Sequence, residues 1–228
     1  MARRNEFKCF ICWGGVVMKD LIILVADLDI ENVFQGLLPR LTHVFGTRPF
    51  NFDIKRHPYR DSGCFTGSAA FLRPFCNQYQ HAMVVFDFEG CGQEHKTKEE
   101  IEHIVETNLL KNGWTDGQVC ALAIQPEVEN WIWIDSPRVT SAFNWNESIT
   151  LYTWLRENGW ISTGEEKPGR PKEAVEAVLR KTKKARSASI YKYISENASF
   201  RDCNDKAFLK AMANLKLWFT KKPESGES

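Results

Sequence analysis

The chain has 228 residues, of which 43% are hydrophobic and 12% aromatic, and its formal net charge at pH 7 is +1. This composition predicts a packed globular protein, and the near-neutral charge excludes a protein whose overall field selects its partners. Since no apolar run reaches the length of a membrane span, no membrane partner is expected.

The cysteines indicate a reducing compartment. Their number, seven, is odd, and their positions lack the spacing of a disulfide framework. Cys9 and Cys12 are spaced like half a zinc site, but no second pair of Cys or His follows at finger-like spacing, so zinc is the lesser alternative. We therefore expect a reduced, cytoplasmic protein.

Strand-like apolar runs alternate with helical patterns through the first half of the chain. Thr97 and Glu100 have the spacing of a capping box at the start of one such helix. Strands separated by helices are typical of a parallel α/β sheet with right-handed crossovers. The strands are expected at residues 21–26, 49–54, 82–89 and 119–124, and the helices at residues 30–45, 68–79 and 97–110.

Acidic residues follow three of these strands. Because the carboxyl ends of parallel strands meet at one edge of a sheet, the acids are expected to converge there. Clustered carboxylates repel one another unless a cation neutralises them, and hard divalent cations prefer oxygen ligands. The sequence therefore predicts a Mg²⁺ or Mn²⁺ site. The acids are Asp27 with Glu31, Asp87 with Glu89, and Glu127 with Glu129.

The acids after the first strand have two interpretations. In one, Asp29 caps the following helix and Glu31 lies in its first turn, where the helix dipole favours a carboxylate. In the other, Asp27 and Glu31 point at the same volume and belong to a functional site. The second pair favours a site more directly, since strand alternation places Asp87 and Glu89 on one side.

A polar loop is expected at residues 57–64, between the second strand and the helix that begins at residue 68. It contains His57, Arg60 and Asp61. These side chains are candidates for ligand contact, although polar loops more often carry such residues for solubility. The alternative is that they serve only solubility.

The C-terminal part of the chain is predicted to be helical and locally basic. Nine basic and two acidic residues lie between residues 167 and 192, which leaves seven positive charges. Such a surface suits nucleic-acid phosphates, although a solvated helix face is the alternative. Helices are expected at residues 137–143, 148–157, 171–183, 188–196 and 205–219. The candidate nucleic-acid contacts are Lys167, Arg170, Lys181, Lys183, Lys184 and Arg186.

The acidic motifs resemble those of the Toprim domain, especially the branch found in OLD-family nucleases. The resemblance rests on Asp27-x-x-x-Glu31, Asp87-x-Glu89 and a later Glu beside Trp131. The family pattern has Glu-Gly-x-x-Glu first and Asp-x-Asp second. This chain departs from it by Asp for Glu and Leu for Gly in the first motif, and by Glu for the last Asp in the second.

The resemblance implies a parallel-sheet, Toprim-like α/β core with a C-terminal helical lobe. It also implies cleavage of nucleic acid, DNA or RNA, by two Mg²⁺ or Mn²⁺ ions. The implied first-metal ligands are Asp27, Asp87 and Glu89. Glu31 with Glu127 or Glu129 would serve the second metal or act as general base, and Lys167, Arg170 or Lys172 would neutralise the transition state.

In this interpretation the chain has four parts. Residues 1–17 form an N-terminal extension ahead of Met18 as functional start, and residues 18–135 form the Toprim-like domain. Residues 136–220 form the basic helical lobe, and residues 221–228 form a disordered tail.

Longer stretches, including His57-Pro58-x-Arg60-Asp61, also resemble a bacterial family associated with antiphage defence, including methylation-associated systems. This second resemblance implies other defence proteins as partners. The alternative function is a catalytically degenerate Toprim-like subunit that binds nucleic acid or partner proteins in a defence complex. The substituted motifs and the absence of an obvious lysine within the Toprim-like core favour that alternative.

Overall fold

The structure is a computed structural model that describes residues 18–221. The predicted extension at residues 1–17, with its Cys9 and Cys12, and residues 222–228 of the predicted tail lie outside the described residues. Between residues 18 and 221, no helix is both long and apolar enough to cross a membrane.

Four strands form one all-parallel sheet, which confirms the predicted parallel α/β class. The strands β1, β2, β3 and β4 comprise Lys19–Val25, Phe52–Arg56, Tyr79–Asp87 and Val119–Ile124, in the spatial order β2, β1, β3, β4. The central strand β1 is fully buried from Leu21 to Val25. Its uninterrupted apolar sequence follows from helices covering both faces of the sheet.

Helices connect the strands as the alternation predicted. The helix that begins at Lys98 has Thr97 as its N-cap, and Thr97 and Glu100 form the expected capping box. The predicted helix at residues 30–45 is instead divided by a 3₁₀ turn, Leu38–Arg40, because proline occupies its second position. The connecting helices are α1 (Leu28–Leu37), α2 (Leu41–Val44), α3 (Arg60–Leu72) and α4 (Lys98–Leu110).

The predicted polar loop at residues 57–64 was wrong in its second half, because α3 begins at Arg60 rather than at residue 68. Two glycines of α3, Gly63 and Gly67, lower its helix propensity but allow the His57 ring to pack directly on the helix. A Cβ at Gly63 would lie 2.1 Å from His57 Nδ1, and one at Gly67 would lie 2.9 Å from Nε2. Tertiary packing therefore outweighs the local turn pattern here.

The C-terminal helices share one hydrophobic core with the sheet. Helix packing is closest at Gly36 of α1, where a Cβ would lie 2.6 Å from the backbone oxygen of Lys192. The predicted helices are confirmed to within three residues at either end. They are α6 (Pro137–Ala142), α7 (Leu151–Glu157), α8 (Pro171–Thr182), α9 (Ser189–Asn197) and α10 (Lys206–Trp218), whereas the short helix α5 (Glu129–Ile132) was not predicted.

Candidate functional site at the carboxyl edge of the sheet

An open cleft of about 810 Å³ lies at the carboxyl edge of the sheet. The chain crosses from β1 to β2 on one side, whereas β3 pairs with β1 on the other, so the order of strands reverses beside β1. Open α/β sheets form their ligand crevice at such a switch point. The charged residues that line it are Asp27, Asp29, Arg56, Arg60, Lys172, Glu176 and Arg186.

Asp27 caps α1 at the end of β1. Its Oδ1 accepts the backbone N–H groups of Asp29 and Ile30, each at 3.0 Å. The sequence prediction of Asp29 as the cap was therefore wrong by two residues. The extended backbone at Asp27 (φ −147°) is that of an N-cap residue, whereas Asp29 lies inside the first turn. Asp27 also lines the cleft, so the same residue both caps α1 and belongs to the candidate site.

Asp87 ends β3 and is buried, with 6% of its surface exposed. Its Oδ1 accepts the backbone N–H of Val128 at 2.8 Å, which joins the ends of β3 and β4. Burial raises the pKa of the Asp87 carboxyl well above its usual range. The nearby charges of Asp61, Glu129 and Asp27 raise that pKa further.

Asp61 belongs to this acidic cluster, although the sequence indicated it only as a candidate for ligand contact in a loop and not as a partner of the strand-end acids. It lies in the first turn of α3, and its Oδ1 accepts the backbone N–H of Asp87 at 2.9 Å. Burial first, and then the charge of Asp27, raise the pKa of Asp61. This position could have been predicted from the sequence, because the helix after β2 starts at the same edge of the sheet and Asp61 lies in its first turn.

Glu129 is the most deeply buried acid of the cluster, at 1% exposure. Its Oε1 accepts a hydrogen bond from the Tyr191 hydroxyl at 2.8 Å, whereas its Oε2 is buried and has no hydrogen-bond partner. Burial raises the pKa of Glu129. Local sequence patterns gave no signal for Tyr191, since it comes from α9, 62 residues further along the chain.

Arg186 reaches into the acidic cluster, although 34% of its side chain stays exposed. Its Nη2 donates to Asp29 Oδ2 at 2.6 Å, to Glu129 Oε1 at 3.3 Å and to the Tyr191 hydroxyl at 3.2 Å. Its Nη1 donates to Glu176. The predicted role of Arg186 in nucleic-acid contact therefore competes with four groups of its own chain.

Three further predicted site acids are placed differently from the cluster. Glu31 pairs with Arg56 at 2.9 Å, and it does not line the cleft in the described part of the chain. Glu89 lies in an exposed turn, because β3 ends at Asp87, so the expected alternation stops before it. Glu127 pairs with Lys172 at 3.2 Å.

Most of the side chains that were predicted to contact nucleic acid instead contact groups of their own chain. Lys183 is the exposed C-cap of α8, in a left-handed conformation. The described contacts of the others break the expected basic stripe into separate parts. They are Lys167 Nζ to the Asn130 oxygen (2.8 Å), Lys184 Nζ to the Ala142 oxygen (2.6 Å), Lys181 to Glu147 (3.3 Å) and Arg170 over the Trp160 ring (5.3 Å).

The donor chemistry of the cluster fits a hard divalent cation, because all its candidate ligands are carboxylate oxygens. Backbone N–H groups occupy the Oδ1 atoms of Asp27, Asp61 and Asp87, which leaves each Oδ2 as a candidate ligand. Across residues 18–221, however, no three Asp, Glu, His or Cys side chains already stand in a metal-holding arrangement. Side-chain rotation would therefore have to accompany metal binding.

Comparison of the chain with models of known protein families, with curated proteins and with solved structures finds no match. The fold and site by themselves define an α/β protein with an all-parallel four-stranded sheet and a carboxylate-lined cleft at its switch point. The resemblance to the Toprim domain stays a prediction.

Proposed function

We propose that this protein cleaves phosphodiester bonds of nucleic acid with the help of Mg²⁺ or Mn²⁺. The observation that carries the proposal is the common arrangement of Asp27, Asp61 and Asp87. Each carboxylate is fixed through Oδ1 by backbone N–H groups at the carboxyl edge of the sheet. Burial and the charges of neighbouring acids raise the pKa values of Asp61 and Asp87, and a cation offsets both effects.

In this proposal Asp27, Asp61 and Asp87 hold the cation, and the buried Glu129 adds negative charge next to Asp87. Asp61 takes the place that the sequence assigned to Glu89. A bound divalent cation supplies a Lewis acid for the phosphoryl oxygen and lowers the pKa of a coordinated water. Lys172 lines the cleft and would neutralise phosphate charge of the bound substrate.

The nucleic-acid substrate and the setting, bacterial antiphage defence, enter the proposal through the sequence resemblance. The cleft supports the phosphate part of that assignment, because Arg56, Arg60 and Lys172 line it beside the acids. A nucleic-acid substrate needs both kinds of charge in one cleft, since cations bind its phosphates while the acids hold the metal.

The test is cleavage of end-labelled DNA and RNA in Mg²⁺ or Mn²⁺ by the wild type and by Asp27→Asn. Asparagine is also a good N-cap, so the variant should keep α1 while losing one charged ligand. We expect cleavage to fall by at least about 100-fold. The control is Asp116→Asn, in an exposed turn. Wild-type protein without metal-dependent cleavage, or an Asp27→Asn variant with normal cleavage, would contradict the proposal.

A second candidate function is a non-catalytic subunit that binds nucleic acid or partner proteins in a defence complex. The observation that favours it is internal neutralisation of the acids by basic side chains. Arg186 contacts Asp29 and Glu129, and Lys172 contacts Glu127. A protein that binds nucleic acid equally well in chelator and in Mg²⁺, and never cleaves it, would establish this candidate instead.

A further inference from the structure

The cleft has a basic side that the acidic cluster does not use. Four basic side chains line it, and Arg186 is one of them. Arg186 is already bound to Asp29 and Glu176, which also line the cleft. Apart from this group, the charged lining consists of three cations and one acid, Asp27. We refer to Arg56, Arg60 and Lys172 as the cation rim.

Within the described residues, Arg60 is the member of the cation rim that no carboxylate pairs with. Its side chain is exposed, and within residues 18–221 it forms no salt bridge. Its backbone is left-handed (φ +49°), a conformation uncommon for arginine, and its N–H donates to the His57 oxygen at 3.1 Å. The buried His57 therefore holds the start of α3, and with it Arg60, at the edge of the cleft.

Arg56 and Lys172 keep part of their binding capacity. Each pairs with one acid, Glu31 at 2.9 Å and Glu127 at 3.2 Å. Their side chains are nevertheless 54% and 49% exposed. A guanidinium has five donors and an ammonium three, so one carboxylate contact leaves further donors free for an anion.

We propose that the cation rim binds a terminal phosphate monoester of the substrate, at a distance from the bond that is cleaved. This inference rests on the proposed function. An internal phosphodiester has one negative charge, whereas a monoester has about two at neutral pH, which suits three cations that line one cleft better.

The arrangement of the predicted basic stripe also favours binding of a nucleic-acid end rather than of a long internal segment. Lys167 and Lys184 donate to backbone oxygens, and Lys181 pairs with Glu147. A continuous track for a polymer backbone is therefore interrupted outside the cleft. The cation rim instead presents three basic side chains in one cleft, where one strongly charged group can bind.

The experiment measures binding of short single-stranded oligonucleotides in EDTA by the full-length protein. Their ends are 5′-phosphorylated, 3′-phosphorylated or hydroxylated at both ends. We expect one phosphorylated form to bind about tenfold more tightly than the hydroxylated form, as for a charge-assisted contact. Arg60→Asn should remove that preference, and asparagine tolerates the left-handed backbone. The control is Arg180→Gln, an exposed arginine of α8 that does not line the cleft.

Equal binding of all three oligonucleotides by the wild type would overturn this inference. A preference that persists in a folded Arg60→Asn variant, and also in Arg56→Gln, would overturn it as well. Cleavage of the hydroxylated oligonucleotide in Mg²⁺ reports separately on the proposed function. Cleavage without end preference rejects the cation rim alone, whereas end preference without cleavage rejects the proposed chemistry alone.

Discussion

The carboxylate of Asp61 accepts the backbone N–H of Asp87 at 2.9 Å, so that α3 is tied to the end of β3. This contact places two acids side by side, although their charges repel. The hydrogen bond fixes the position of Asp87, whose own Oδ1 reaches the Val128 N–H. One acid thus positions the next within the cluster.

Replacement of Asp61 separates the hydrogen bond from the charge. Asp61→Asn keeps an acceptor for the Asp87 N–H and removes the repulsion, whereas Asp61→Ala removes both. We expect the alanine variant to be less stable than the asparagine variant by about 1–2 kcal/mol, the cost of an unsatisfied buried N–H. Urea unfolding of both variants in EDTA measures this difference. Equal stability would show that the hydrogen bond contributes nothing.

Asp87→Asn should stabilise the metal-free protein at neutral pH. The pKa of Asp87 in the folded protein is raised above its ordinary value near 3.8. Protonation of Asp87 therefore stabilises the folded state, and this stabilisation is fully present below pH 3.8. That stability is lost as pH rises through the raised pKa of the folded state. Asparagine does not ionise, so the variant should gain about 1 kcal/mol, or about 2–4 °C in Tm, at neutral pH in EDTA. The gain should vanish near pH 4. A wild type more stable than the variant at neutral pH would contradict this account.

Arg186→Met should destabilise the protein. The variant leaves Asp29 and the buried Glu129 without their cationic partner. We expect a loss of about 1–3 kcal/mol, below the full value for a buried pair because Arg186 is partly exposed. Thermal unfolding in EDTA measures the loss, and Mg²⁺ should restore part of it. Arg180→Met on the exposed face of α8 serves as the control, and an equal effect of both changes would exclude the proposed role.

Gly36→Ala tests the packing of the C-terminal helices on the sheet domain. The new Cβ would lie 2.6 Å from the Lys192 oxygen and 2.8 Å from Ser195 Cβ, both in α9. Alanine normally favours a helix by about 1 kcal/mol, but this clash should destabilise the fold by about 1–3 kcal/mol. Asn32→Ala, elsewhere on α1, is the control in denaturant unfolding. A Gly36→Ala variant at least as stable as the wild type would show that α9 is not packed there.

Local patterns were sufficient for most of the fold. The apolar run that forms β1 and the capping box at Thr97 are encoded within a few residues, and both elements occur where they were predicted. The start of α3 was missed because Gly63 and Gly67 are poor helix formers. Their value lies in contact with His57, which a local pattern does not report.

Most acids of the site were predictable from the sequence, whereas the partners that hold them were not. Asp27 and Asp87 follow apolar strands directly, so their meeting at one edge follows from parallel topology. Glu89 was expected beside Asp87 only because the strand was assumed to continue. The partners Arg186 and Tyr191 come from the distant α8–α9 region, and their contact with Glu129 depends on helix packing that no sequence spacing encodes.

The most direct test of the central claim is calorimetric titration of Mg²⁺ and Mn²⁺ into the wild type and Asp87→Asn, with Asp116→Asn as control. We expect saturable binding to the wild type and the control, and at least about tenfold weaker binding to Asp87→Asn. Binding should also release protons at each pH where Asp87 or Glu129 is still protonated without metal, because burial raises the pKa of both carboxyls. No binding to the wild type, or equal binding to a folded Asp87→Asn variant, would contradict the claim that this acidic edge is a cation site.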